Sequence, residues 1–344
     1  MPMKPAALPA APRAIGGTFR TRVSRVPATR RSSTPAPKDF LSVLDFDPER
    51  FDEVLALAAR LKRERRLGRR APTAQALASQ HVALLFDKPS LRTRVTFEIA
   101  VRELGGDVIA PPQDGPLGTR ESIEDVARNF ERWVSTVVIR TFEQARLARF
   151  AAAAPRLHVI NALTNEEHPC QALADLMTLT EVWGSPVGRT IAFVGDGNNV
   201  ATSLVHASML AGLHVRVASP RGYELPAPVC HEAARVARHG ATLELTTDPL
   251  EAVAGVDAVY TDVWTSMGQE AEDGRRRDVF SAYQVNAALM SRAAPDALFL
   301  HCLPAHRGDE VTDEVIDGPT SVVFDQSENR LHAQKALLVL LAAR

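Results

Sequence analysis

Apolar residues fall in two alternating registers along this chain. Short, nearly unbroken apolar runs alternate with longer stretches in which apolar positions recur every three or four residues. The runs HVALLF (81–86), DVIA (107–110), TVVIR (136–140) and HVINA (158–162) have the length and β-branched content of strands buried on both faces. A second series follows: TIAFVG (190–195), HVRVASP (214–220), ATLELT (241–246), AVYTD (258–262) and ALFLHC (297–302). The intervening stretches predict helices. At Asp47-Pro48-Glu49 a cap, an N1 proline and an acidic first turn coincide. Phe51, Val54, Leu55, Ala58 and Leu61 then share one helical stripe. Further helices are predicted over 91–104, 121–133, 169–182, about 200–213 and 333–343, the last after a loop around Arg330. Strands alternating with helices predict two α/β domains, each a parallel sheet flanked by helices. The turn formers of Gly184-Ser185-Pro186-Val187-Gly188 mark the junction between them.

Composition changes this picture only at the N-terminus. The 344 residues are 45% hydrophobic and 24% charged, ordinary for a two-domain globular chain. The formal net charge of −1 argues against nucleic-acid or membrane partners, and no apolar run approaches the roughly 20 residues a bilayer span needs. Residues 1–38 differ: they hold eight Lys/Arg, seven prolines and no Asp or Glu. We read them as a disordered tail. Their Arg-rich, acid-free character also resembles an organellar transit peptide, but the prolines oppose the amphipathic helix such a peptide needs. The expected location is therefore cytoplasmic, with mitochondrial as the alternative. The three cysteines, Cys170, Cys230 and Cys302, include no C-x-x-C pair. That opposes a structural zinc site and suits a reducing compartment.

The chemistry sits in five polar clusters, each at or just after a predicted strand end, the edge where open parallel sheets bind ligands. Ser90-Leu91-Arg92-Thr93-Arg94 opens a helix directly after HVALLF. A helix N-terminus with two arginines and two hydroxyls can hold a dianion; the plainer reading is a capped start with two solvated arginines. Arg140 ends its strand nearby. His168 and Gln171 share a face of the next helix start. Gly195-Asp196-Gly197 suggests a dinucleotide turn, but Val200 replaces the third glycine and no acidic residue ends the next strand. Asn199 instead offers a donor and an acceptor to a small zwitterion. Asp262 suits an α-ammonium, and the backbone N–H groups of Ser266-Met267-Gly268 suit an α-carboxylate. Cys302, in His301-Cys302-Leu303-Pro304, is either a reactive thiol or a small buried apolar residue.

Taken in order, the five clusters resemble the transcarbamoylase family, and within it the ornithine carbamoyltransferases. The resemblance runs from about Phe40 to the C-terminus. It implies a carbamoyl phosphate-binding domain over 39–183 and an ornithine-binding domain over 184–318, with the active site in the cleft between them. A C-terminal segment, 319–344, would pack back on the first domain. The implied reaction gives L-citrulline and phosphate, a step of arginine biosynthesis or of urea-cycle type, with no cofactor or metal, in a homotrimer or a multiple of trimers. Ser90, Leu91 through its N–H, Arg92 and Thr93 would hold the phosphate. Arg140, Thr93 and His168 would take the carbonyl oxygen, Gln171 and the Leu303 carbonyl the NH2 group, and Arg330 would complete the carbamoyl phosphate site. Asn199, Asp262, Ser266 and Met267 would hold ornithine, with Cys302 coupled to Asp262 beside the carbamoyl group. The catalytic set is thus Asp262, Cys302, Arg140 and His168. Two positions depart from the family pattern. Leu91 stands where Thr is frequent, and Pro116 stands where a Gln or His commonly contacts carbamoyl phosphate, so that contact is not carried over. The competing readings are a non-catalytic sensor or assembly subunit of the same fold, and a carbamoyltransferase for another acceptor amine.

Overall fold

The computed structural model describes residues 36–112, 117–265 and 270–342. Strands β1 (His81–Phe86), β2 (Asp107–Ile109), β3 (Thr136–Arg140) and β4 (His158–Leu163) form one sheet in the order β2-β1-β3-β4. Strands β5 (Thr190–Val194), β6 (His214–Ala218), β7 (Leu243–Thr246), β8 (Ala258–Thr261) and β9 (Leu298–His301) form a second in the order β7-β6-β5-β8-β9. Every strand pairing in both sheets is parallel. The first half carries α1 (Pro48–Glu64), α2 (Leu91–Glu103), α3 (Ile123–Trp133), α4 (Gln144–Ala153) and α5 (Pro169–Trp183). The second carries α6 (Asn199–Ala211), α7 (Ala227–Val236), α8 (Pro249–Val253), α9 (Asp273–Phe280), α10 (Ala287–Met290) and α11 (Asp313–Ile316), and α12 (Val323–Ala342) follows.

The two-residue period of a strand explains the layering. In β1, Val82, Leu84 and Phe86 enter one apolar cluster while Ala83 and Leu85 enter another with α3 and α4. In β5, Ile191 and Phe193 join the first of these clusters, and Ala192 and Val194 face a third. One continuous core therefore runs from the inner face of one sheet to the inner face of the other. It is filled by α1, α2, α5, α6 and α12. Helix α12 packs against α1, α2 and α5.

Strand order places the ligand edges. In the first sheet the order reverses between β1 and β3, and in the second between β5 and β8. Such switch points open a crevice at the strand C-termini. The segments after β1 and β3 therefore meet those after β5 and β8.

Three expectations need correction. Helix α12 starts at Val323, ten residues earlier than the predicted 333, so Arg330 lies inside the helix and not in a loop. Its first turns hid in the sequence because Gln326, Asn329 and Arg330 are polar yet buried. Helices α4 and α7 to α11 were not expected from the apolar pattern. Residues 36–38, assigned to the tail, make packed contacts: Ala36 lies against the core, and Lys38 Nζ donates to the carbonyls of Ala151, Ala154 and Leu157 at 3.0–3.1 Å. The rest of the predicted tail lies outside the described residues. Among those residues, no helix is long and apolar enough to cross a membrane.

Because Leu337 of α12 is fully buried in the shared core, Leu337→Ala should cost about 2–5 kcal/mol, as for other buried Leu truncations. Urea denaturation measures it. A loss below about 1 kcal/mol would contradict this packing of α12.

Candidate active site

A cleft of about 620 Å3 lies where the two switch points meet. Ser90, Leu91, Arg92, Arg140, His168, Asn199, Asp262, Cys302, Leu303 and Arg330 all line it. Thr93 and Gln171 sit just behind the wall. Thr93 Oγ1 accepts from the Arg330 guanidinium at 2.5 Å, and the Gln171 amide donates to Asp175 Oδ1 at 2.8 Å, leaving its own Oε1 without a partner. Arg94 turns away and stacks over the Phe86 ring. Pro116, Ser266, Met267 and Gly268 lie outside the described residues.

One side of the cleft is cationic. Ser90 occupies the N-cap of α2 but makes no side-chain cap bond, so its hydroxyl remains available. Arg92, Arg140 and Arg330 converge on this helix start, and among the described residues none of them pairs with a carboxylate. Arg140 and Arg330 are almost fully buried. Burial first, and then Arg330, lowers the Arg140 pKa to about 10. Burial likewise lowers that of Arg330, with Arg92 adding repulsion. An uncompensated buried charge is costly, and a bound anion would relieve it. His168 occupies the N-cap position of α5 without a side-chain cap bond, and its Nδ1 has no partner. Burial, then Arg330 and Arg140, hold its pKa well below the usual imidazole range, so it is a neutral ring beside the cations.

The opposite side is anionic. Asp262 Oδ1 accepts from the Cys302 thiol at 2.9 Å, and Oδ2 accepts from the Asn198 amide at 2.9 Å. Burial first, then Asp262, pushes the Cys302 thiol well above the ordinary value, so it is a donor and not a thiolate. Asn199 Nδ2 donates to the Thr164 carbonyl at 2.5 Å, joining the start of α6 to the loop after β4. Asp262, His301 and Cys302 are also the one metal-capable group among the described residues, their ligand atoms lying within 4.8 Å. Both His301 nitrogens are already engaged, by the Leu303 N–H and by Glu310, which makes this a hydrogen-bonded unit.

Several supporting residues escaped the sequence reading. Asn198 caps α6 through Oδ1 and holds Asp262 through Nδ2; its place beside Asn199 was the available signal. Glu167 accepts from Ser42 at 2.8 Å and from Ser203 of α6 by a short bond. Ser203 Oγ in turn accepts the His168 N–H at 2.8 Å. Asp175, pushed up to about 7 by burial against the opposing Gln171 and Gln326 bonds, links α5 to α12, and Gln326 also reaches the Tyr260 hydroxyl on β8. Arg276 bridges Asp196 and the Trp264 carbonyl, fixing the segment after β8. No local motif signals these long-range pairings.

The fold defines a two-sheet α/β class with its cleft at the paired switch points, and comparison with known proteins identifies the family. The model of the aspartate/ornithine carbamoyltransferase carbamoyl-P binding domain matches residues 38–181, and that of the Asp/Orn binding domain matches 187–341. The chain belongs to the aspartate/ornithine carbamoyltransferase family. It is 49% identical to the ornithine carbamoyltransferase of Anoxybacillus flavithermus over 88% of this chain and 96% of that one. With the Parafrankia sp. ornithine carbamoyltransferase the identity is 50%, over 88% and 96%. The solved ornithine carbamoyltransferase of Pyrococcus furiosus superposes with a TM-score of 0.84 at 46% identity, covering 89% of this chain and 97% of that one.

The thiol states lead to an ordered labelling experiment. Cys170, raised to about 12 by burial, and Cys302 are both buried, whereas Cys230 is partly exposed. With iodoacetamide near pH 8, Cys230 should alkylate first, with Cys302 slower by about tenfold or more. Peptide mass spectrometry over time reads the order, and Cys302 reacting ahead of Cys230 would contradict the protonated, buried thiol.

Proposed function

We propose that this chain transfers the carbamoyl group of carbamoyl phosphate to the side-chain amine of L-ornithine, giving L-citrulline and phosphate. The observation that carries this reading is the convergence of Arg92, Arg140 and Arg330 on the start of α2 without a carboxylate partner among the described residues. That side fits a phosphorylated substrate. Asp262, across the cleft, fits the α-ammonium of an amino acid. The ornithine carbamoyltransferases to which the chain is similar carry the same pairing in their name.

In this reading Ser90, the Leu91 N–H, Arg92 and Thr93 take the phosphate. Arg330 supports it while anchored on Thr93. Arg140, Thr93 and His168 point donors at the carbonyl oxygen. Gln171 Oε1, unpartnered and buried, and the Leu303 carbonyl take the carbamoyl NH2. Asn199 and Asp262, with Ser266 and Met267, orient ornithine, and Cys302 sits between Asp262 and the reacting carbon. The neutral δ-amine attacks the carbonyl carbon and the C=O pair moves onto oxygen. The tetrahedral oxyanion is stabilised by donors already in place. A neutral His168 can donate there without repelling the arginines. The oxyanion then collapses, the C–O bond to phosphate breaks, and the amine's proton passes to the departing phosphate. Positioning and electrostatics carry the rate.

The reading also carries a homotrimer. Exposed apolar Leu91 and Val95 of α2 and Ile109 of β2 are surface that a neighbouring copy would cover. Three unpaired cysteines suit a reducing, cytoplasmic setting.

Purified chain supplied with carbamoyl phosphate and ornithine should release citrulline and phosphate in equal amounts. Arg92→Ala should stay folded and keep less than about a tenth of the turnover, since each charge-assisted bond it loses is worth roughly 1.5–3 kcal/mol. Turnover above that level would remove Arg92 from the phosphate site. Asp262→Asn keeps the shape and removes the charge; it should cost about 2–5 kcal/mol in kcat/KM for ornithine.

A further inference from the structure

The turn that carries Cys302 and Leu303 into the cleft has an unusual conformation. Leu303 has φ 58°, in the left-handed region that a residue with a Cβ seldom adopts. A neighbour must hold it there, and the structure shows which. The Leu303 N–H donates to His301 Nδ1 at 2.9 Å. An N–H can only donate, so this Nδ1 is unprotonated and the ring proton sits on Nε2. His301 Nε2 lies 3.1 Å from Glu310 Oε1, an acceptor. The same Glu310 oxygen accepts the His306 N–H at 2.6 Å, closing the far side of the turn. The His301 N–H donates to Gln326 Oε1 of α12 at 3.0 Å, fixing the near side. His301 and Glu310 are both fully buried, and neither lines the cleft, whereas Cys302, Leu303, Pro304 and His306 do.

We infer that His301 and Glu310 are positioning residues that act through Leu303: Glu310 selects the imidazole tautomer whose Nδ1 accepts the Leu303 N–H, and that bond presents the Cys302 thiol and the Leu303 carbonyl to the reacting carbamoyl group. The inference rests on the carbamoyl-transfer reading above. Glu310 matters for the tautomer it imposes. The alternative tautomer would aim an N–H at the Leu303 N–H, and the left-handed turn would lose its support.

Two substitutions separate the two ends of the ring. In His301→Asn the side-chain oxygen falls where Nδ1 was and can still accept from Leu303. In His301→Gln the amide reaches Glu310 but leaves Leu303 without an acceptor. With kcat and KM measured for citrulline formation beside the wild type, His301→Asn should keep kcat within about threefold, and His301→Gln should lose about tenfold or more, the scale of one buried hydrogen bond left unmade. Thermal midpoints of the two should agree. Glu310→Gln, which keeps an acceptor oxygen, should retain more kcat than Glu310→Ala. Equal kcat in the two His301 variants, the reverse order, or losses that only follow the thermal midpoint would overturn the assignment.

A second readout needs no activity. Cys302-Leu303 is the one Cys-Leu pair in the chain, so carbonyl-13C cysteine with 15N leucine isolates the Leu303 amide by NMR. Its hydrogen exchange should be slow in the wild type and in His301→Asn, and faster in His301→Gln. A freely exchanging Leu303 amide in the wild type would overturn the inference even if no variant folds. A wild type that makes no citrulline but protects this amide would instead overturn the carbamoyl-transfer reading.

Discussion

Positive charge held out of water at the start of α2 is the constraint around which this molecule is built. Arg140 and Arg330 are almost fully buried, repel one another and lack a carboxylate partner among the described residues. A monomeric core would not retain such groups for stability, since buried charges cost several kcal/mol each unless compensated. The fold brings them together from distant parts of the chain. Arg92 comes from α2, Arg140 from the end of β3, and Arg330 from α12, which crosses between the two halves. The Arg330–Thr93 bond joins residues 237 apart in sequence. Holding this arrangement requires the rest of the core.

That support is a polar network set inside an apolar layer. Asp175, Gln171, Gln326 and Tyr260 tie α5, α12 and β8 together, and Glu167 with Ser42 and Ser203 ties the His168 loop to both halves. Buried polar groups favour the one packing that satisfies them. The relation of the two ligand edges, and hence the distance between the arginines and Asp262, is set by these pairings as much as by the sheets. Asp262 in turn is fixed by Asn198 and Cys302, so the anionic wall is as constrained as the cationic one.

Much of this was legible in the sequence because it is local. The nine strands among the described residues follow from apolar runs, although β2 and β7 are largely exposed edge strands. The cap at Asp47 and the helix start at Ser90 follow from side-chain chemistry within one turn. Ten of the residues singled out as site candidates line one cleft; nine of them lie in segments that follow a strand end, and Arg330 alone comes from within α12. The unread part is non-local. The first turns of α12 read as a loop because Gln326, Asn329 and Arg330 break the apolar period, and only their partners on α5 and α2 explain their burial. Helix α9, DGRRRDVF, is polar on nearly every face, and its anchor, Arg276 on Asp196, lies 80 residues away. His301 stood in plain view within a motif, but neither its pairing with Glu310 nor the left-handed conformation of Leu303 leaves a signal in the local pattern.

The central claim is that a cationic wall and Asp262 together select carbamoyl phosphate and an amino acid with a free α-ammonium. The direct measurement is steady-state carbamoylation of ornithine, aspartate, putrescine and N-acetylornithine by the same purified chain, compared as kcat/KM. Putrescine lacks the α-carboxylate, N-acetylornithine lacks the α-charge that Asp262 pairs with, and aspartate brings a second carboxylate in place of the δ-amine. Ornithine should be preferred over each by on the order of a thousandfold or more, as for a site whose buried polar groups are left unpaired by the wrong substrate. If any of the three is carbamoylated as efficiently as ornithine, the assignment of the acceptor is wrong, and if N-acetylornithine is, that of Asp262 is wrong as well.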